Sequence, residues 1–194
     1  MKKLLITGFQ PFGGESINPS WEAVSRLPSE INGYFLTKLL IPVVFGEAAA
    51  AIIAKAEEIH PDVILSVGQA GGRCDITPEL VGINLRHASI PDNSGFQPKD
   101  ESIEKGGETA YFSTLPVRKM ADAINAVGIK SSVSYSAGAY VCNDVLYTLL
   151  SRFAGSKTRV GFIHIPYSFE QNKEPSMDIG DIIKGLTAAI ENID

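Results

Sequence analysis

Short apolar runs alternating with stretches of helical spacing organise this chain. Lys2 to Phe9 is an apolar run closing on Gly8, the pattern of a buried strand. Asn18-Pro19-Ser20 marks a helix start: Asn18 is the N-cap, Pro19 the first helical residue, Trp21, Val24 and Leu27 share a face, and Pro28 ends it. Tyr34 to Val44 is strand-like, and Glu47 to Ile59, rich in Ala and Glu, is helical until His60-Pro61. Asp62 to Gly68 is a second buried strand bounded by turn residues. Leu80 to Ala88 predicts another strand. Val117, Met120, Ala121, Ile124 and Val127 repeat at helical spacing, with Gly128 as the stop. Ser131 to Tyr135 reads as a strand, and Val145, Leu146, Leu149, Leu150 and Phe153 form the apolar face of a helix beginning near Cys142. Arg159 to Ile165 is a last strand, and Asp178 caps a final helix that turns Ile179, Ile182, Ile183, Leu186, Ile190 and Ile193 to the core. This alternation predicts an α/β protein with a largely parallel, mixed central sheet covered on both faces, a three-layer α/β/α arrangement. Ligands of such folds sit beyond the carboxyl ends of the strands, which directs attention to Gly8 to Gly14, Gly68 to Gly72, the Cys142 segment and the residues after Phe162. Ser89 to Leu115 is the one long polar stretch, of the kind that is either functional or mobile.

Composition narrows the class. The chain has 194 residues, 17 Lys and Arg against 22 Asp and Glu, and 44% hydrophobic residues. That is an ordinary globular balance and enough chain for one core, so residues 1–194 are expected to form one domain. Net acidity without a Lys/Arg cluster disfavours nucleic acid as a partner. Met1-Lys2-Lys3 imitates a signal-peptide opening, but the apolar run stops at Thr7-Gly8, short of the roughly 7 to 15 residues required. The longest apolar runs, Leu39 to Phe45 and Ala48 to Ala54, are far below the ~20 residues that span a bilayer, so no membrane partner and a cytoplasmic location are expected. Cys74 and Cys142 read as thiols. With no C-x-x-C and with His60, His87 and His164 scattered, no metal site or cofactor is expected.

The candidate chemistry gathers at the strand ends. Gly8-Phe9-Gln10-Pro11-Phe12-Gly13-Gly14 lacks the spacing of a nucleotide loop, and its two Phe would obstruct phosphate. They serve either as walls for a small flat ligand or as core plugs. Gln69 follows a strand between glycines, read either as a tight turn or as an amide held at a ligand. Cys142 opens an amphipathic helix, whose N-terminus lowers a thiol's pKa and offers free N–H groups to an oxyanion. Most lone cysteines are nonetheless small buried hydrophobes. His164, at the end of a neighbouring strand, would supply the imidazole of a thiolate–imidazolium pair, or is simply satisfied there by hydrogen bonds. Glu79 is the best-placed acid to orient His164, with simple exposure as the competing reading.

Five ordered blocks then resemble one family. Thr7-Gly8-Phe9-Gln10-Pro11-Phe12-Gly13-Gly14 with Asn18-Pro19-Ser20-Trp21-Glu22, Gly71-Gly72-Arg73 with Thr77-Pro78-Glu79, Ile90-Pro91-Asp92-Asn93, Ser136-Ala137-Gly138 with Tyr140-Val141-Cys142-Asn143, and Phe162-Ile163-His164-Ile165-Pro166 together resemble the pyroglutamyl peptidase I, or pyrrolidone carboxyl peptidase, family. The resemblance implies a cysteine peptidase on a single α/β/α domain, removing an N-terminal pyroglutamyl residue from peptides without a metal or cofactor, and usually a homodimer or homotetramer. It places the nucleophile on Cys142, the general base on His164 and the acid partner on Glu79. It also implies that Phe9 and Phe12 wall the lactam, that Gln69 makes a polar contact, and that Asn18 either joins the site or serves only as the N-cap.

One departure accompanies the match: the family commonly carries Arg before the Ile-Pro-Asp-Asn block, where this chain has Ser89. Arg86, three residues earlier, falls on the opposite face of a regular strand. The departure motivates an alternative, a non-catalytic binder of a small cyclic or acidic metabolite on the same scaffold.

Overall fold

The computed structural model describes residues 1–194. Its elements in chain order are β1 (Lys2–Phe9), α1 (Pro19–Arg26), β2 (Glu30–Ile31), β3 (Tyr34–Ile41), α2 (Glu47–Ile59), β4 (Val63–Gln69), β5 (Thr77–Pro78), β6 (Val81–Ile83), β7 (Ala110–Phe112), α3 (Val117–Ala126), α4 (Val141–Arg152), β8 (Arg159–Ile165), β9 (Tyr167–Ser168), a 3₁₀ turn (Phe169–Gln171), β10 (Ser176–Met177) and α5 (Ile179–Glu191). The main sheet runs β2-β3-β1-β4-β8-β5. The four strands β3, β1, β4 and β8 are parallel, and the short edges β2 and β5 are antiparallel.

Alternate residues of the central strands feed two apolar layers, as the period of two requires. Leu4, Ile6, Val63, Leu65 and Ile163 meet α1, α3 and α5 through Val24, Met120, Ile124, Ile182 and Leu186. Leu5, Ile64, Val160 and Phe162 meet α2 and α4 through Ala49, Ile52, Val145 and Leu149. The sheet is therefore buried on both faces and the expected α/β architecture holds. No helix is long and apolar enough to cross a membrane.

Three expected strands are shorter in the structure, each for a local reason. β3 ends at Ile41, before Pro42, which has no N–H to donate to a ladder. Leu80 to Ala88 pairs as a strand only over Val81–Ile83, against β7. Beyond that, the Asn143 side chain occupies the backbone groups of Ile83 and Leu85. Ser131 to Tyr135 makes only the bridges Ile76↔Ser131 and Glu79↔Ser134. The Ser131 hydroxyl takes the Ile76 carbonyl at 2.7 Å there, in place of a continued ladder.

The polar stretch after Ser89 is fastened down as well as carrying β7. Buried Asp92 accepts from the N–H groups of Phe45, Ser94 and Phe96, which holds its carboxyl below the ordinary value against the effect of burial. Asn93 Nδ2 reaches the Pro11 carbonyl at 2.9 Å, tying this loop to the one that carries Phe12.

Candidate active site

The topology brings the candidate residues to one sheet edge. β1 ends at Phe9, β4 at Gln69 and β8 at His164-Ile165, and α4 begins at Val141 above them. Phe9, Phe12, Asn18, Gln69 and Cys142 line one cavity of about 30 Å³, together with Val43, Tyr140 and Val141. A much larger cavity, about 510 Å³, opens beside Arg73, Ser134 and Tyr135, and neither Cys142 nor His164 lines it.

Cys142 is the second residue of α4, whose N-cap Tyr140 makes no side-chain capping bond. The first main-chain bond of the helix is Asp144 N–H to the Tyr140 carbonyl at 3.1 Å, which leaves the N–H groups of the opening turn without main-chain acceptors. Asn143, fully buried, pins that turn laterally: its Oδ1 accepts from Ile83 N–H, and its Nδ2 donates to the carbonyls of Ile83 and Leu85. Buried Asp144 fixes it from behind by accepting from Arg86 Nε at 2.6 Å and from Gly46 N–H at 2.8 Å. Beneath the sulfur lies Gly68, on β4 opposite His164 of β8. A Cβ there would sit 2.9 Å from Cys142 Sγ and 2.8 Å from Phe162 Cζ, so only glycine leaves room for the thiol.

His164 is buried, with its ring 4.8 Å from that of Phe162, and its Nδ1 lies 2.7 Å from Glu79 Oε1. Glu79 reaches it because the two-residue strand β5 pairs Thr77 with His164, and Glu79 N–H then donates to the Phe162 carbonyl. Arg73 Nη1 donates to the same Oε1 at 2.7 Å, and its Nη2 to the Ser136 carbonyl. Burial alone would raise the Glu79 carboxyl, yet the hydrogen bonds from His164 Nδ1–H and Arg73 hold it below the ordinary value. Glu79 is thus an anion that fixes the Nδ1–H tautomer of His164 and aims Nε2 at its surroundings.

Burial acts on the ionisation of both Cys142 and His164. Burial pushes the Cys142 thiol up to about 12, the Glu79 carboxylate adding to the rise and Arg73 opposing it. Burial also lowers His164, partly countered by Glu79. Burial thus disfavours the charged form of each group and opposes the thiolate–imidazolium pair expected from the sequence. The helix start acts in the sense expected, but desolvation outweighs it.

The remaining expectations resolve individually. Asn18 is both N-cap and cavity wall: its Oδ1 accepts from Ser20 N–H and Ser20 Oγ–H, and its Nδ2 donates to the Gln10 carbonyl. Phe9 and Phe12 split their roles, Phe9 being buried at 6.3 Å from the Phe162 ring and Phe12 facing the Tyr140 ring at 6.2 Å. Ser89 is exposed, and Arg86 is committed to Asp144, so neither stands in for the family arginine. Cys74 is exposed and does not line the cavity. His60 caps the C-terminus of α2 and His87 pairs with Asp100 on the surface. Sequence reasoning missed Arg73, Val43 and Tyr140. Val43 follows the end of β3, so the strand-end rule applied to that strand would have found it, and Tyr140 and Arg73 stand inside the quoted motifs.

Comparisons with known proteins agree with this geometry. The model of the pyroglutamyl peptidase family matches residues 2–194. A pyrrolidone-carboxylate peptidase of Lactobacillus johnsonii is 50% identical over 98% of this chain and 92% of its own length. One of Clostridium perfringens is 51% identical over the same shares. The crystal structure of pyroglutamyl peptidase I from Bacillus amyloliquefaciens superposes with a TM-score of 0.95 at 44% identity, covering 100% of this chain and 97% of that one. The pyrrolidone carboxyl peptidase from Thermococcus litoralis gives 0.94 at 37% identity, covering 100% and 93%. With a match along nearly its whole length and the same fold, the chain belongs to the pyroglutamyl peptidase family.

Proposed function

We propose that this protein is a cysteine exopeptidase that hydrolyses the amide bond after an N-terminal pyroglutamyl residue, with Cys142 as nucleophile, His164 as general base and acid, and Glu79 as the anion that orients His164. The observation that carries the reading is the 2.7 Å contact of His164 Nδ1 with Glu79 Oε1 at the sheet edge where Cys142 opens α4.

Because burial disfavours the charged form of both thiol and imidazole, His164 Nε2 takes the Cys142 proton as sulfur attacks the pyroglutamyl carbonyl, and the N–H groups at the α4 start receive the oxyanion. The imidazolium, stabilised by Glu79, then protonates the leaving peptide amine as the C–N bond breaks. Water enters, loses a proton to His164 and hydrolyses the thioester, which regenerates the thiol. Arg73 keeps Glu79 ionised through this cycle.

Pyroglutamate has no charged α-amine, and the cavity that would hold it has no carboxylate in its lining, only aromatic and aliphatic walls with Asn18 and Gln69 as polar groups. At about 30 Å³ it is a narrow cavity with room for one or two waters. Residues 1–194 act as one peptidase domain, a reading supported by two apolar cores that share the central strands. A cytoplasmic location and assembly as a homodimer or homotetramer belong to the same proposal, and light scattering of the purified chain tests the assembly.

A fluorogenic pyroglutamyl amide tests the chemistry. Cleavage by the wild type and its loss in Cys142→Ala are expected, and cleavage surviving in that variant would overturn the mechanism. Pyroglutamate binding by calorimetry with no turnover would favour the non-catalytic binder instead.

A further inference from the structure

The polarity of the lactam pocket is set from outside it. Ser168 N–H is a main-chain donor and can only donate; it meets Gln171 Oε1 at 3.2 Å. That fixes which way the Gln171 amide faces, so its Nε2 points to Gln69 and donates to Gln69 Oε1 at 2.9 Å. The other hydrogen of Gln171 Nε2 faces Glu15 Oε2 at 3.4 Å, and Glu15 is ion-paired with Lys173. Gln69 Oε1 is thereby turned to Gln171, and its Nε2, with no partner in the protein, is the polar edge left for a ligand in the cavity shared with Cys142. Asn18 is in the same condition: its oxygen accepts two bonds and one N–H remains over. Both pocket amides therefore have their oxygen engaged elsewhere and an N–H left over for a ligand.

From this we infer that Gln171 is a positioning residue for substrate selection: it locks Gln69 with its N–H edge toward the ligand, so that the pocket selects a ring bearing a carbonyl and rejects one bearing a protonated ring amine. The inference rests on the pyroglutamyl reading and refines it. A prolyl ring has no ring carbonyl and carries an N–H₂⁺ group, which two N–H donors repel; a lactam carbonyl accepts from them. The ordering chain Ser168–Gln171–Gln69 acts over 102 residues of sequence between the two glutamines.

The test is a double-mutant cycle at pH 8, read as the inhibition constant of 2-pyrrolidone, the bare lactam, and as KM and kcat for a pyroglutamyl amide. Gln171→Glu keeps an acceptor for Ser168 N–H but removes the donor, so Gln69 turns its oxygen to the pocket; lactam binding and KM weaken roughly tenfold or more while kcat changes less. Gln171→Met leaves Gln69 free to adopt either orientation and weakens binding by less than Gln171→Glu does. In a Gln69→Ala background Gln171→Glu has less than about a twofold further effect, because its partner is gone. An equal loss in both backgrounds, or equal effects of Glu and Met at 171, would overturn the inference as a general structural defect. Failure of the pyroglutamyl reading would show separately, as a wild-type protein that neither cleaves the amide nor is inhibited by 2-pyrrolidone.

Discussion

Gly68→Ala adds a single methyl group at the floor of the nucleophile's seat. The strand backbone at this position accommodates alanine, so the perturbation is steric. The new carbon would lie 2.9 Å from Cys142 Sγ and 2.8 Å from Phe162 Cζ, where carbon contacts sit at about 3.5–4.0 Å, so the neighbours must retreat by roughly 0.7–1 Å. Phe162 has little freedom to do so, with the Phe9 ring at 6.3 Å and the His164 ring at 4.8 Å. The sulfur moves instead. A displacement of about 1 Å at a reacting group is worth on the order of 100-fold in rate, while overpacking of this size costs about 1–3 kcal/mol of stability, or roughly 2–12 °C in Tm for a chain of this length. We expect kcat/KM for a fluorogenic pyroglutamyl amide to fall about 100-fold in a variant that still melts cooperatively. Gly161→Ala is the matched control: its methyl meets Leu115 at 2.6 Å in the opposite layer, so Tm falls while activity per folded molecule stays within a fewfold. A stable Gly68→Ala enzyme within threefold of wild-type activity would refute the placement of Cys142 as nucleophile over β4.

Four other expectations follow, three from the site and one from the second cysteine. Alkylation of Cys142 by iodoacetamide should keep accelerating with pH beyond 9, since the thiol is pushed up to about 12, and a plateau near neutrality would contradict the dominance of desolvation at the thiol. Glu79→Gln removes the anion that raises the thiol, so alkylation shifts to lower pH while turnover drops at least tenfold for want of the His164 partner; parallel changes in the two rates would count against the assigned roles. Arg73→Met leaves Glu79 with His164 alone and should lower the urea-unfolding free energy by about 1–3 kcal/mol, since Arg73 is partly exposed and its pairing partly screened. Cys74→Ser should leave kcat/KM and stability unchanged within about 0.5 kcal/mol, and a large activity loss would call for a role that its exposed position does not explain.

The elements legible in the sequence were those long enough to show a period. β1, β4, β8 and the five helices carry several buried positions each, and the cap at Asn18 and the stop at Gly128 act locally. The two- and three-residue strands β2, β5, β7, β9 and β10 have no period to read; they exist because a partner is present. β5 matters most, since two residues beside His164 are what deliver Glu79. The same division runs through the site. Cys142, His164, Glu79 and the cavity residues sit in recognisable blocks, but the groups that hold them do not announce themselves. Arg86 reaches Asp144 across 58 positions and Gln171 reaches Gln69 across 102, and neither residue type nor spacing encodes such a meeting. The desolvation of the thiol is hidden from the sequence for a related reason. The helix start is visible in the sequence, whereas the desolvation that outweighs it is a property of the packed core.

The antiparallel pairing of β5 with β8 ties the chemistry to the history of the chain. Glu79 and His164 stand 85 residues apart and meet only through this edge pairing, with Cys142 supplied by the helix that precedes β8. Contacts of such separation form late, after the loop between them has been closed. A nascent chain emerging from its N-terminus therefore holds the aromatic pocket wall and the glycine seat long before it holds a base, and a fragment ending before β8 has the thiol but nothing to deprotonate it. With the proposed roles of Cys142, His164 and Glu79, peptidase activity requires the last strand of the sheet to be docked, and the return of activity during refolding is expected to report closure of the sheet itself.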